Sequence, residues 1–106
     1  PKYLVRPDDF HIFEIDKTNG CYRSFLHKDI KNRPHAYEHF TYENLAKNYG
    51  FFPINSKEIP HYQEKNHDYH DFISWQHRSD GHGGVKGGTY AEYLEYKERL
   101  KEYYNR

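Results

Sequence analysis

The stretch of this chain best equipped for chemistry runs from Ser79 to Thr89 and reads Ser-Asp-Gly-His-Gly-Gly-Val-Lys-Gly-Gly-Thr. Its glycines leave backbone N–H groups open, and a lysine stands among them. Thr89 and Glu92 have the spacing of a capping box, so a helix is expected to begin at once. Exposed amides, the positive end of a helix dipole and a mobile ammonium are the parts of an anion site. The residues assigned to it are Arg78, Asp80, His82, Gly83, Gly84, Lys86 and Thr89, and the ligand expected is a phosphate or a nucleotide. The loop is not a Walker A motif, because the Gly-Lys-Ser/Thr ending is missing. It is not a dinucleotide fingerprint either, because a helix rather than a strand precedes it. The same glycines also suit a plain connection between two helices.

Histidine is the second source of chemistry, with nine in 106 residues. His67, His70, Asp71 and His77 fall on one face of an expected helix, and imidazole with carboxylate at that spacing can hold a divalent metal. No His-Glu-x-x-His and no cysteine pair supports such a centre, so a polar face rich in histidine is the plainer account, and no cofactor is expected. Asp80 and His82 could act as a base and its neighbour, with Lys86 beside a developing anion. No nucleophile-elbow pattern surrounds Ser79. The reading therefore leans away from an enzyme.

The elements that must carry these groups run strands first, helices after. Tyr3 to Arg6, Phe10 to Asp16 and Cys21 to His27 are expected as a three-stranded antiparallel meander within residues 2–27. Pro7-Asp8-Asp9 and Asn19-Gly20 supply its turns. A two-residue Asn19-Gly20 loop would set Asp16 opposite Arg23, Ile15 opposite Ser24 and Phe13 opposite Leu26. One face then holds Phe13, Ile15, Tyr22 and Leu26. The other holds Phe10, Ile12 and Phe25, too apolar to stay wet, so a helix or a partner should cover it. Helices are expected at about 41–49, 67–78 and 90–104, with Asn66 as the N-cap of the second. Phe52 to Pro60, with two prolines, reads as a loop. On the last helix Tyr93, Tyr96, Leu100 and Tyr103 make a narrow stripe suited to docking on a sheet or another subunit. The fold class is α+β, a single domain over 1–106 with its helices packed on the sheet.

Composition bounds the function. Net formal charge is zero, which disfavours capture of nucleic acid, although the face with Phe10, Ile12, Phe25 and Arg23 could stack bases. No run of eighteen apolar residues and no signal-peptide pattern is present, so no membrane insertion is expected. Cys21 is the only cysteine, which points to a reducing, intracellular and preferably cytoplasmic setting. Five Leu, six Ile and two Val stand against twelve Tyr, seven Phe and one Trp, so the core must be built from rings. Mean hydropathy is −1.25. A polar, Tyr-rich domain of this size suits a non-enzymatic interaction module or accessory subunit that completes its burial on a protein partner or a copy of itself. The expected interaction face is Phe10, Ile12, Phe25, Tyr93, Tyr96 and Tyr103.

Overall fold

A computed structural model describes residues 1–18, 20–25 and 40–105. The fold is α+β: β1 (Tyr3–Val5), β2 (Ile12–Asp16), β3 (Cys21–Ser24), α1 (Tyr42–Tyr49), β4 (Phe52–Ile54), α2 (Ile59–Gln76) and α3 (Tyr90–Tyr104). The chain divides into two compact units, Pro1–His67 and Asp68–Arg106. The first is the sheet unit, and the second is a helix–loop–helix unit.

The sheet is antiparallel with order β3-β2-β1-β4, so it has four strands where the sequence suggested three. The added strand contains Pro53, which pairs with Leu4. Proline removes a ladder donor, and an edge position tolerates that loss. This is why a proline-bearing stretch expected as a loop is a strand instead. Pro60 is equally at home in the first turn of α2, where its missing N–H has no intrahelical partner to lose.

The β2–β3 register is shifted by two residues from the expected one. Asp16 pairs with Cys21, Ile15 with Tyr22, Glu14 with Arg23 and Phe13 with Ser24. The cause is local. The Asp16 carboxylate accepts the Thr18 N–H (3.0 Å), and Gly20 donates to the Asp16 carbonyl (2.8 Å), which closes a longer loop at Asp16. A shift of two preserves which side chains share a face. Arg23 still reaches Asp16, diagonally, at 3.1 Å. Leu26 and the end of the expected third strand lie outside the described residues.

Both faces of the sheet are covered from within the first unit. Leu4, Phe13 and Tyr22 pack with Leu45 of α1 and with Phe51, beside Ile15 and Phe40. The Tyr22 hydroxyl donates to the Pro1 carbonyl. On the opposite face Tyr3, Val5, Ile12 and Ile54 pack with Phe10, Phe25, Phe52, Ile59 and Tyr62. Helix α1 starts at Thr41, whose hydroxyl accepts the Asn44 N–H, and stops at Gly50 in the left-handed region (φ 70°). Of Tyr42, Leu45, Ala46 and Tyr49, which share one side of the helix by their spacing, only Leu45 is buried. Tyr42 and Tyr49 are exposed, because a two-turn helix flanked by Phe40 and Phe51 inserts one side chain.

Helix α2 begins eight residues before the expected start. A capping box of Asn55 and Glu58 opens a 3-10 turn that runs directly into it. Asn66, expected as the N-cap, is a buried mid-helix residue, and its Nδ2 donates to the Asp9 carbonyl at 2.8 Å. A buried amide is stable only when such a partner is supplied. That contact ties α2 to the β1–β2 turn. In the turn, Arg6 makes a two-pronged bond to Asp9 (2.9 and 2.7 Å) and Phe10 adopts φ 62°. A non-glycine residue in that region costs on the order of 1–2 kcal/mol. The Phe10 ring recovers part of it by stacking on Tyr62 (6.3 Å between centroids) with the Lys65 ammonium 4.9 Å above.

Candidate functional site in the helix–loop–helix unit

The second unit is organised around Trp75. Its indole packs with Phe72 (6.3 Å between centroids), Tyr93 (5.7 Å) and Tyr96 (6.0 Å). Phe72 meets Tyr90 edge-on at 5.2 Å. Gly88 closes against the same indole. A Cβ there would stand 2.4 Å from Cη2 of Trp75, and φ is +131°, so only glycine fits. Arg78 lies over the indole with its guanidinium carbon 3.8 Å from the ring centroid. Its Nη1 donates to the carbonyls of Trp75 (2.8 Å) and Gly87 (2.7 Å), which fixes the guanidinium in place.

The glycine-rich loop is a closed turn. Ser79 and Val85 form an antiparallel bridge, and Asp80 N–H donates to the Gly84 carbonyl (3.2 Å). Lys86 N–H donates to the Arg78 carbonyl (3.0 Å), Gly87 N–H to the Gln76 carbonyl (3.0 Å), and Gln76 Nε2 to the Gly88 carbonyl (2.9 Å). The Asp80 carboxylate accepts the N–H groups of His82 (2.7 Å) and Gly84 (3.1 Å). Those two amides, His82 foremost, hold its carboxyl below the usual range. The loop therefore carries its own anion, bound to donors that the sequence offered to a phosphate. Thr89 is likewise engaged: its N–H and hydroxyl both donate to Glu92 (3.2 and 3.0 Å), and its oxygen accepts the Glu92 N–H (3.1 Å). Of the seven residues assigned to an anion site, Arg78, Asp80, Gly84 and Thr89 serve the fold. His82 gives its backbone N–H to Asp80, Gly83 supplies a positive φ (85°), and the Lys86 side chain is exposed.

A cluster the sequence reading missed lies at Asp68. Its carboxylate accepts the Tyr90 hydroxyl (2.6 Å) and the Lys97 ammonium (3.0 Å), with the Tyr93 hydroxyl at 3.5 Å. The Tyr90 bond, ahead of Lys97, holds Asp68 below the ordinary carboxylate range despite partial burial. The same bond raises Tyr90, the separate bond from Lys97 to Asp68 raises Lys97, and burial first of all raises Tyr93. Four ionisable groups thus stabilise one protonation pattern, a lone carboxylate among neutral phenols and one ammonium. The signal was present as twelve tyrosines, but no spacing rule links position 68 to 90, 93 and 97.

Tyr93, expected on an interaction face, is buried against Phe72 and Trp75, and Ile12 is buried in the sheet unit. Phe10 and Phe25 are half-buried in ring contacts of their own unit. Tyr96 and Tyr103 remain exposed, together with Tyr90, Leu94 and Tyr104, over a range of 41% to 76%. His67, His70 and Asp71 are exposed on α2, and His77 is exposed just past its end. Among the described residues, no three His, Cys, Asp or Glu side chains are grouped to hold a metal ion. Among the same residues, no helix is long and apolar enough to cross a membrane. An open cleft of about 480 Å³ adjoins the loop, lined by Trp75, Tyr96, three cations (Arg78, Lys86 and Arg99) and two carboxylates (Glu92 and Glu95).

No protein-family model, no curated protein and no solved structure matches this chain.

Proposed function

We propose that this protein is a non-enzymatic interaction module, and that the exposed rings of α3 are the surface it presents to a protein partner or to a copy of itself. The observation that carries the reading is the exposure of Tyr90, Leu94, Tyr96, Tyr103 and Tyr104 on one fifteen-residue helix. Tyrosine joins a large apolar area to a polar tip at little entropic cost, which is why it is enriched at protein interfaces. The sheet unit lends less support, because its second apolar face is already occupied by Phe52, Ile59 and Tyr62. An intracellular setting fits the single cysteine.

The test is a pair of measurements on the wild type and on a variant carrying Tyr96→Ser, Tyr103→Ser and Tyr104→Ser. Light scattering across a hundredfold dilution reads self-association, and affinity capture from a lysate of the source reads a foreign partner. The reading requires a complex that the wild type forms and the folded variant loses. A wild-type chain that stays monomeric and captures nothing beyond what the variant captures would sink it.

A further inference from the structure

We propose that the cleft between the glycine-rich loop and α3 binds a nucleoside monophosphate. The sequence pointed to an anion through the amides of residues 81–89. Asp80 takes the His82 and Gly84 amides, Ser79 that of Gly81, Glu92 that of Thr89, and backbone carbonyls those of Lys86 and Gly87, so the loop itself is not the receptor. The cleft beside it offers a different set of groups, and they match the base and the phosphate of a mononucleotide.

Its volume, about 480 Å³, is in the range of pockets that enclose small organic ligands. For the base there are the Tyr96 ring and the guanidinium plane of Arg78, flat surfaces of the kind on which bases stack, with the Trp75 indole backing Arg78. The Arg78 plane is fixed before any ligand arrives, because Trp75 and Gly87 carbonyls hold it over the indole. Preorganised groups lose less entropy on binding than mobile ones. For the phosphate there are the cations Lys86 and Arg99, with Arg78 as a third. Three cations against two carboxylates leave the lining net positive, as an anionic ligand requires. Among the described residues Arg99 makes an exposed pair with Glu95 at 3.6 Å, a contact weak enough to exchange for a phosphate oxygen. Glu95, so released, can accept a hydrogen bond from an exocyclic amine of the base. Inorganic phosphate would use the cations and leave the rings idle. A nucleoside would do the reverse. The cleft combines both, so the whole nucleotide should bind best. This assignment shares only Tyr96 with the surface proposed above and does not depend on that surface having a partner.

Trp75 is the only tryptophan in the chain and lines the cleft, so its fluorescence reports occupancy directly. The full-length chain is titrated with adenosine monophosphate, with adenosine and with inorganic phosphate, each to about 10 mM. The expected result is a saturable change with the nucleotide, at a half-saturation about tenfold or more below that of either fragment. Lys86→Gln and Arg99→Gln, both at exposed positions, should each weaken the nucleotide by about tenfold. Unchanged circular dichroism would show that both variants are folded. The proposal is overturned if adenosine monophosphate gives no saturable response, or if phosphate or adenosine alone binds as tightly. Equal affinity in the wild type and both variants would overturn it as well.

Discussion

In the sheet unit nine apolar side chains are buried among the described residues, from Tyr3 to Ile54; in the helix–loop–helix unit Tyr93 alone is. Both units are rich in rings, yet they use them differently. The first interleaves Phe13, Tyr22 and Phe51 with Leu4, Val5 and Leu45, so that aromatic and aliphatic groups fill one another's gaps on two sides of a sheet. The second has few aliphatic groups and leans on ring–ring contacts, a carboxylate clip at Asp68 and a glycine pressed against an indole. A sheet offers two faces to cover, whereas a pair of helices offers one seam, and the remaining rings stay at the surface. The contrast teaches that aromatic content alone does not measure core size. What matters is whether the backbone gives each ring a second side to pack against.

The comparison can be broken most forcefully inside the sheet. Leu4 is fully buried, and Leu4→Ala should cost about 3–5 kcal/mol in urea unfolding monitored by far-ultraviolet circular dichroism. A loss under about 1 kcal/mol would mean the first unit is no better packed than the second. Next in size is Gly88→Ala, where a Cβ meets Trp75 and φ is unfavourable. We expect a loss of about 2–4 kcal/mol, with Trp75 emission shifted towards that of exposed indole. Retention of the wild-type spectrum would show that the loop can back away from the ring. Asn66→Ala leaves the Asp9 carbonyl without its side-chain donor and should cost about 1–3 kcal/mol, together with faster amide exchange in residues 6–11. Unaltered exchange there would remove Asn66 as the tie between turn and helix.

The pH dependence sharpens the contrast in the second unit. Asp68 is depressed below the ordinary carboxylate value of 3.8, so its contribution is complete above that value and fades as pH falls through the lower folded one. Tyr90 and Tyr93 are raised above 10.0 and Lys97 above 10.5, so their contributions hold below those values and fade as pH climbs past the folded ones. Trp75 fluorescence should therefore report loosening at both ends, and Asp68→Asn should flatten both limbs. A variant that keeps either limb at full size would point to groups elsewhere. Asp9 is also depressed: burial, its largest single influence, raises it, but the Arg6 bond and the His11 amide outweigh burial. The sheet unit should accordingly show an acid limb through Asp9. The smallest effect belongs to Arg99→Gln, which removes an exposed pair with Glu95 and should change stability by no more than about 0.5 kcal/mol. A loss much above that would give the pair a structural role that its exposure does not suggest.

Much of the fold was legible because its signals are local. The Thr89–Glu92 capping box, Gly50 as a stop and the alternation of Phe13 and Ile15 act within a few residues. The bounds of α3 agree with the expected ones for that reason. Among the described residues the expected sheet faces also stand, because a register change of two does not alter which side a residue takes. Proline misled at Phe52–Ile54, since its meaning depends on whether a strand is central or at an edge, and that is a property of the assembled sheet. Asn66 misled because an amide that suits a helix start suits a buried tie equally well.

The site divides along the same line. From the sequence by itself came the loop, its glycines, the basic residues beside it and the excess of rings, since these are matters of residue type and short spacing. Only the tertiary structure decided that Asp80 takes the His82 and Gly84 amides, that Trp75 is the centre of its unit and that Asp68 gathers Tyr90, Tyr93 and Lys97. Those contacts join positions far apart in the chain, and the free energy that selects them comes from packing and desolvation in the folded state. No window of neighbouring residues contains that information.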